Sequence, residues 1–174
     1  MVRQIARPDI STKLDTSFFQ DSAANVARNL IGRTLVRELP GGKHLLATIR
    51  EVAAWQGAEK TSAQTIRYHP GIIGISNRYG HNLIDIGTGY MGRPSCVTLA
   101  GIYTPDEVIE GPGKVSKYLA IDSDCDSMPI NNDVLWIGGQ GVNSEQVLQR
   151  LKQAPANCKG YFYFNDWQAN PAAK

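Results

Sequence analysis

The hydrophobic positions along the chain change period several times, and each change marks an element. Apolar residues at Ala23, Val26, Ala27 and Leu30 follow the 3.6-residue spacing of an amphipathic helix. Asp21-Ser22 can cap its start and Gly32 suits its stop. The pattern then turns strand-like over Thr34 to Leu39 and His44 to Trp55, with Pro40-Gly41-Gly42 between them as a hairpin signal. Strict two-residue alternation puts Leu45, Ala47, Ile49, Glu51, Ala53 and Trp55 on one face. Residues 57–71 read as a loop ending in His69-Pro70-Gly71. Short strands are expected at Ile72 to Ile75, Asn82 to Ile86 and Ser95 to Ile102, with Gly80, Gly87, Gly89 and Gly92 at their connections. A second helix is expected from Gly111-Pro112-Gly113 to about Ile121, with Val115, Tyr118 and Leu119 on one side. Val134 to Ile137 reads as a strand. Asn143 with Gln146 forms a capping-box pattern that predicts a helix carrying Val147, Leu148 and Leu151. Tyr161 to Phe164 reads as the last strand. Residues 1–14 lack periodicity and read as an extended N-terminal arm, leaving 15–174 as the folded unit. The sum is an α+β single domain, a curved antiparallel β-sheet with peripheral helices.

Composition narrows the classes. The chain has 174 residues, 42% hydrophobic and 20% charged, as in an ordinary globular domain with a real core. No stretch approaches the roughly 20 apolar residues that span a bilayer, so no membrane partner is expected. Met1 to Ile10 has arginines but no apolar run, unlike a signal peptide. A net charge of +2 is compatible with nucleic acid without arguing for it. Cys96, Cys125 and Cys158 are widely spaced with no C-x-x-C, which predicts reduced thiols in a cytoplasmic protein, taken as a monomer. His44, His69 and His81 lack metal spacing, and no Walker loop, dinucleotide fingerprint or nucleophile elbow occurs; neither metal nor cofactor is expected. Asp122, Asp124, Asp126 and Asp133 fall at calcium-loop positions 1, 3, 5 and 12. Position six is Ser127, not glycine, and no glutamate closes the loop, so a solvated acidic turn is the reading.

Five stretches, in order from about residue 16 to 167, carry a resemblance. They are Ser17-Phe18-Phe19 with Asn29-Leu30-Ile31-Gly32-Arg33-Thr34-Leu35-Val36-Arg37-Glu38; Ile49 to Gly57; Arg78-Tyr79-Gly80; Glu110-Gly111-Pro112-Gly113-Lys114-Val115 with Leu119-Ala120-Ile121; and Tyr161-Phe162-Tyr163-Phe164 with Trp167. Together they resemble the alkyladenine (3-methyladenine) DNA glycosylase family. The resemblance implies that family's fold, one like the formyltransferase C-terminal domain. It also implies base excision repair: a damaged purine nucleotide is flipped out of duplex DNA and its N-glycosidic bond hydrolysed. Flipping is needed because the bond is inaccessible within the stack. Hydrolysis passes through a sugar with oxocarbenium character and needs a base for water and negative charge beside the sugar.

At the centre the chain departs from the family. The family motif Glu-Thr-Glu-Ala-Tyr, whose second acid activates water, stands here as Glu51-Val52-Ala53-Ala54-Trp55. The catalytic position is thus Ala53, and the stacking aromatic is Trp55. A family histidine of the base pocket matches Gln64, a second stacking tyrosine matches Ser76, an arginine near the catalytic water matches Ala100, and an asparagine most nearly matches Asp85. Glu51 and Asp85 are the candidate acids. Glu51 lies about 6.5 Å along a regular strand from Ala53, and a base must come within about 3 Å of its water, so Glu51 takes the role only if the strand bulges. The bland alternative for each is a supporting acid or a barrel-edge aspartate.

His69 and His81 complete the candidate pocket. Tyr79 matches the residue that wedges into the minor groove, with Arg78 beside it for a phosphate. Gly113, Lys114 and Lys117 offer a phosphate contact at a helix start, against the alternative that the glycines only permit close packing. Three functions follow as expectations: a diverged glycosylase using Asp85 or Glu51, a catalytically silent relative that recognises modified DNA, or a recruited enzyme on a nucleoside-like small molecule. The partner is accordingly duplex DNA or such a small molecule.

Overall fold

A computed structural model describes residues 10–56, 69–78, 80–89, 95–142, 147–151 and 159–164. After a 3-10 turn at Thr16–Phe19, helix α1 covers Ala23–Leu30. Ser22 Oγ accepts from Asn25 N at 3.2 Å and caps it, and the four residues of the 3.6-residue stripe are buried. Strands β1 (Thr34–Glu38) and β2 (His44–Gln56) form the expected hairpin, in which Gly41 and Gly42 both take positive φ, 95° and 87°. There follow β3 (Ile73–Arg78), β4 (His81–Thr88), β5 (Ser95–Tyr103), β6 (Val108–Glu110), helix α2 (Pro112–Tyr118), β7 (Leu135–Gly138), β8 (Leu148–Leu151) and β9 (Lys159–Phe164).

These nine described strands form one curled antiparallel sheet in the order β3-β4-β5-β2-β1-β7. β6 extends β5, and β9 pairs with both β2 and β8. The α+β single-domain expectation is borne out. The core forms where Val26, Leu30, Val52, Ile86, Leu99 and Leu119 meet, joining both helices to one sheet face. Among the described residues no helix is long and apolar enough to cross a membrane.

Three expectations are corrected. Residues 148–151 are a strand paired with β9, not a helix; cross-strand pairing with 161–164 overrides the local capping pattern. Helix α2 stops at Tyr118 rather than near Ile121, because Ala120 turns to φ 48° and buried Arg37 takes the end. Arg37 Nε donates to Leu119 O at 3.0 Å and Nη2 to Ala120 O at 3.2 Å, a cation on the carbonyl end of a helix. Third, β2 does not alternate strictly. Its pairing with β5 shifts between Ile49 and Glu51 and again between Glu51 and Val52. Arg50 on β2 and Ala100 on β5 are the residues left out of the ladder. Ala47 and Ile49 therefore join the core together with Val52 and Ala54, and the shared face of 45 to 55 is broken at this bulge.

The outer edge of β3 is covered by the chain after α2. Ser127 N donates to Ile73 O and Ile73 N to Met128 O, each at 2.8 Å, and Asp126 Oδ1 accepts from Ile75 N at 2.8 Å. The acidic turn thus divides its work. Asp126 closes a strand edge, Asp122 caps a short 3-10 turn, and Asp133 pairs with Lys13 Nζ at 2.6 Å. Among the described residues no group of three or more His, Cys, Asp or Glu could hold a metal ion.

Candidate functional site

The opposite sheet face is built by the second half of β2 with β5, β4 and β3. Ala53 pairs with Thr98, and Thr98 pairs with Asp85, so one cross-strand row runs Ala53–Thr98–Asp85. Neighbouring strands lie about 4.8 Å apart, which puts the backbones of Ala53 and Asp85 about 9.6 Å apart. Asp85 is only 4% exposed. Its Oδ2 accepts from Ser76 Oγ at 2.9 Å, and its Oδ1 accepts from Thr98 Oγ1. The Trp55 indole Nε1 donates to the same Thr98 Oγ1 at 3.0 Å.

These contacts fix a direction. An indole N–H only donates, so Thr98 Oγ1 accepts from Trp55, and the Thr98 hydroxyl gives its own proton to Asp85 Oδ1. Of the sequence-derived candidates, the structure brings together Ala53, Trp55, Ser76 and Asp85. It adds Thr98, which motif matching missed. Its signal lay in β5: Thr98 is the one hydroxyl residue between Cys96 and Ile102, on the face opposite Val97 and Leu99.

Glu51, also 4% exposed, lies toward the bulge, on the side of Ala53 away from Trp55. Its Oε2 is 3.7 Å from Arg50 Nη1, which meets Glu110 Oε1 at 3.0 Å. Its Cβ sits so close to Gly101 that a Cβ on that glycine would approach to 3.0 Å. The bulge exists, but Val52 and Ala53 continue in regular register with Leu99 and Thr98, so Glu51 stays one strand repeat from position 53. Buried side-chain nitrogens and oxygens among the described residues all have partners.

The remaining candidates lie around this centre. Ala100 is buried at the bulge, and its carbonyl accepts from Gly111 N at 2.8 Å, tying the site's edge to the start of α2. Gly113 packs so tightly on His81 that a Cβ would come within 3.0 Å of its Cβ and Cγ. Closeness of helix to strand thus accounts for that glycine. His81, Lys114 and Lys117 are exposed, as is His69, whose carbonyl accepts from Ile72 N. Arg78 ends β3 opposite His81. Gln64 and Tyr79, like the Arg78 side chain, lie outside the described residues.

Comparison with known proteins matches residues 17–152 to the family described as Methylpurine-DNA glycosylase (MPG). A protein of Gloeobacter violaceus named "Putative 3-methyladenine DNA glycosylase" is 28% identical over 163 residues, covering 80% of this chain and 76% of that protein. One of the same name from Natranaerobius thermophilus is 30% identical over 139 residues, covering 63% and 70%. The Homo sapiens DNA-3-methyladenine glycosylase is 26% identical over 163 residues, and the match spans 54% of its length. With its curled sheet and the matched segment covering most of the sequence, the chain belongs to the methylpurine-DNA glycosylase family.

Proposed function

We propose that this protein takes an extrahelical modified purine nucleotide of duplex DNA against the Trp55 indole, with Asp85 as the carboxylate nearest the glycosidic bond. The observation that carries this reading is the row Ala53–Thr98–Asp85, with Trp55 bound to its middle member. Hydrolysis of an N-glycosidic bond needs an anion beside the sugar. The methyl group of Ala53 supplies none, and Asp85 puts one on the same row, two strands away, leaning toward Thr98. Efficient use of Asp85 requires the nucleotide to sit closer to β4 than it would with an acid at position 53. Lys114 and Lys117, exposed on α2, with Arg78 at the end of β3 and Tyr79 next to it in sequence, are the residues for the DNA backbone and the vacated stack.

A second reading has its own support. Methyl groups at both Ala53 and Ala100 favour a protein that recognises the flipped nucleotide without cutting it. Base release from duplexes carrying methylated purines distinguishes the two, measured for the native chain, Asp85→Asn and Glu51→Gln. Catalysis by Asp85 predicts release by the native chain, a loss of about 10²-fold or more in Asp85→Asn, and a lesser effect in Glu51→Gln. Tight binding without release establishes the silent reading. Release that survives Asp85→Asn removes Asp85 from the mechanism. If no salt-dependent duplex binding occurs, a small-molecule substrate replaces DNA.

A further inference from the structure

We infer that Thr98 is a positioning residue, whose single hydroxyl holds the Trp55 indole in one orientation as a preorganised stacking surface and couples that surface to Asp85. The inference rests on the reading of Trp55 as the face that receives the base.

The half-buried Trp55 ring has two side-chain torsions, each with discrete rotamers to choose among. A directional bond to the indole N–H removes that choice. Here the acceptor is itself held. Thr98 is β-branched, 5% exposed and anchored in β5 between Ala53 of β2 and Asp85 of β4. Its proton is committed to Asp85 Oδ1, so its lone pairs are what Trp55 meets. Asp85 is steadied in turn by Ser76 Oγ at 2.9 Å. The relay Trp55→Thr98→Asp85 therefore spans three adjacent strands, and a change in the acid reaches the stacking surface through one atom. A stacking surface ordered before the base arrives spares the complex the cost of immobilising it on binding. Thr98 touches no reacting atom in this scheme and acts through its two partners.

The test uses the full chain labelled with 15N-tryptophan. Of the three tryptophans, Trp55 is identified by the indole N–H signal lost in Trp55→Phe. Thr98→Ser keeps the hydroxyl and is expected to leave that signal and its solvent exchange unchanged. Thr98→Val keeps the shape but removes acceptor and donor; the signal moves upfield and exchange speeds by about tenfold, as for one lost hydrogen bond. Thr98→Cys, with a weak acceptor sulfur, shifts it the same way and replaces the valine variant should that one not fold. The second readout is a duplex carrying one 2-aminopurine, whose fluorescence rises on leaving the DNA stack and is quenched on an indole. Thr98→Val weakens binding and loses the quench, and in the Trp55→Phe background the same substitution adds little. An unmoved indole signal in Thr98→Val overturns the relay. A moved signal with unchanged affinity and quench reduces Thr98 to a structural role. Failure of the native chain to bind the duplex overturns the DNA reading alone, because the indole signals still judge the relay.

Discussion

Ala53 and Asp85 stand in one cross-strand row, separated by Thr98 and by two strand spacings. The first carries only a methyl group; the second is a buried carboxylate that accepts from two hydroxyls. On the reading proposed above, the carboxylate of this row stands on β4 and not at position 53 of β2, and Thr98 between them bonds to the aromatic ring on which a base would rest. Glu51, closer along the chain, has its carboxylate beside Arg50 and its Cβ against Gly101.

Gly71 tests how firmly β3 is seated. Its N–H donates to Gly87 O, its carbonyl accepts from Ile130 N, its φ is 80°, and a Cβ would come within 2.7 Å of Thr16 Cα. Left-handed backbone without glycine costs about 1–3 kcal/mol, and overpacking against backbone adds about 1–3 kcal/mol. Gly71→Ala is expected to lower unfolding stability by about 3 kcal/mol or more. Gly41→Ala has φ 95° but open space around the new methyl, so it should cost only the backbone part, about 1 kcal/mol. Urea midpoints of the two variants check the difference; equal losses would mean that the contact with Thr16 is soft.

The helix α1, the β1–β2 hairpin and the central strands were legible because local chemistry and tertiary packing agree there: Ser22 caps, Gly41-Gly42 turns, and the apolar stripe is buried. Two features were not. The alternation of β2 looked uniform from 45 to 55, but the bulge leaves Arg50 and Ala100 out of the ladder, and that depends on how β2 meets a strand far away in sequence. The strand at 148–151 exists because β9 lies beside it, while its own sequence also fits a helix. At the site, family matching pointed to Trp55, Ser76 and Asp85 one by one. It could not show that Thr98 joins Trp55 to Asp85, since that depends on register across three strands.

Alkaline pH should weaken the fold in stages. Burial pushes the Cys125 thiol above its ordinary value, with Asp122 and Asp124 adding to the rise and Arg37 opposing it. The unfolded chain therefore ionises first and binds fewer protons than the native one. Stability falls as pH climbs from about 8.5, the free thiol value, toward the native one. Tyr118, raised by burial and then by Asp106 and Glu107, continues the fall from about pH 10. Urea midpoints measured across this range should decline, and Cys125→Ala should flatten the first stage. An unchanged profile in that variant would exclude the thiol as the cause.

If α2 faces the DNA backbone, salt reports it. Each phosphate neutralised contributes a slope of about −0.9 in log K against log salt. Lys114 and Lys117 are exposed, so replacing them leaves the core intact. Lys114→Ala and Lys117→Ala are each expected to flatten the slope by about 0.9 and weaken binding equally across sequences. Lys43→Ala, at the tip of the β1–β2 hairpin, is the control and should leave the slope unchanged. Slopes identical to the native value would place α2 away from the DNA.

Placing an acid at position 53 is the sharpest test of the proposed site. Ala53 is 2% exposed beside Thr98, so a glutamate there fits only if the sheet face away from the core leaves space for it. If that space still receives a sugar, Ala53→Glu should create or raise base release from methylated duplexes, by about 10²-fold or more. Ala53→Gln has the same shape without charge and should show no gain. A folded Ala53→Glu protein with no gain in release would mean that the cavity has been rebuilt around the methyl group, and the second reading, recognition without hydrolysis, would then account for the site.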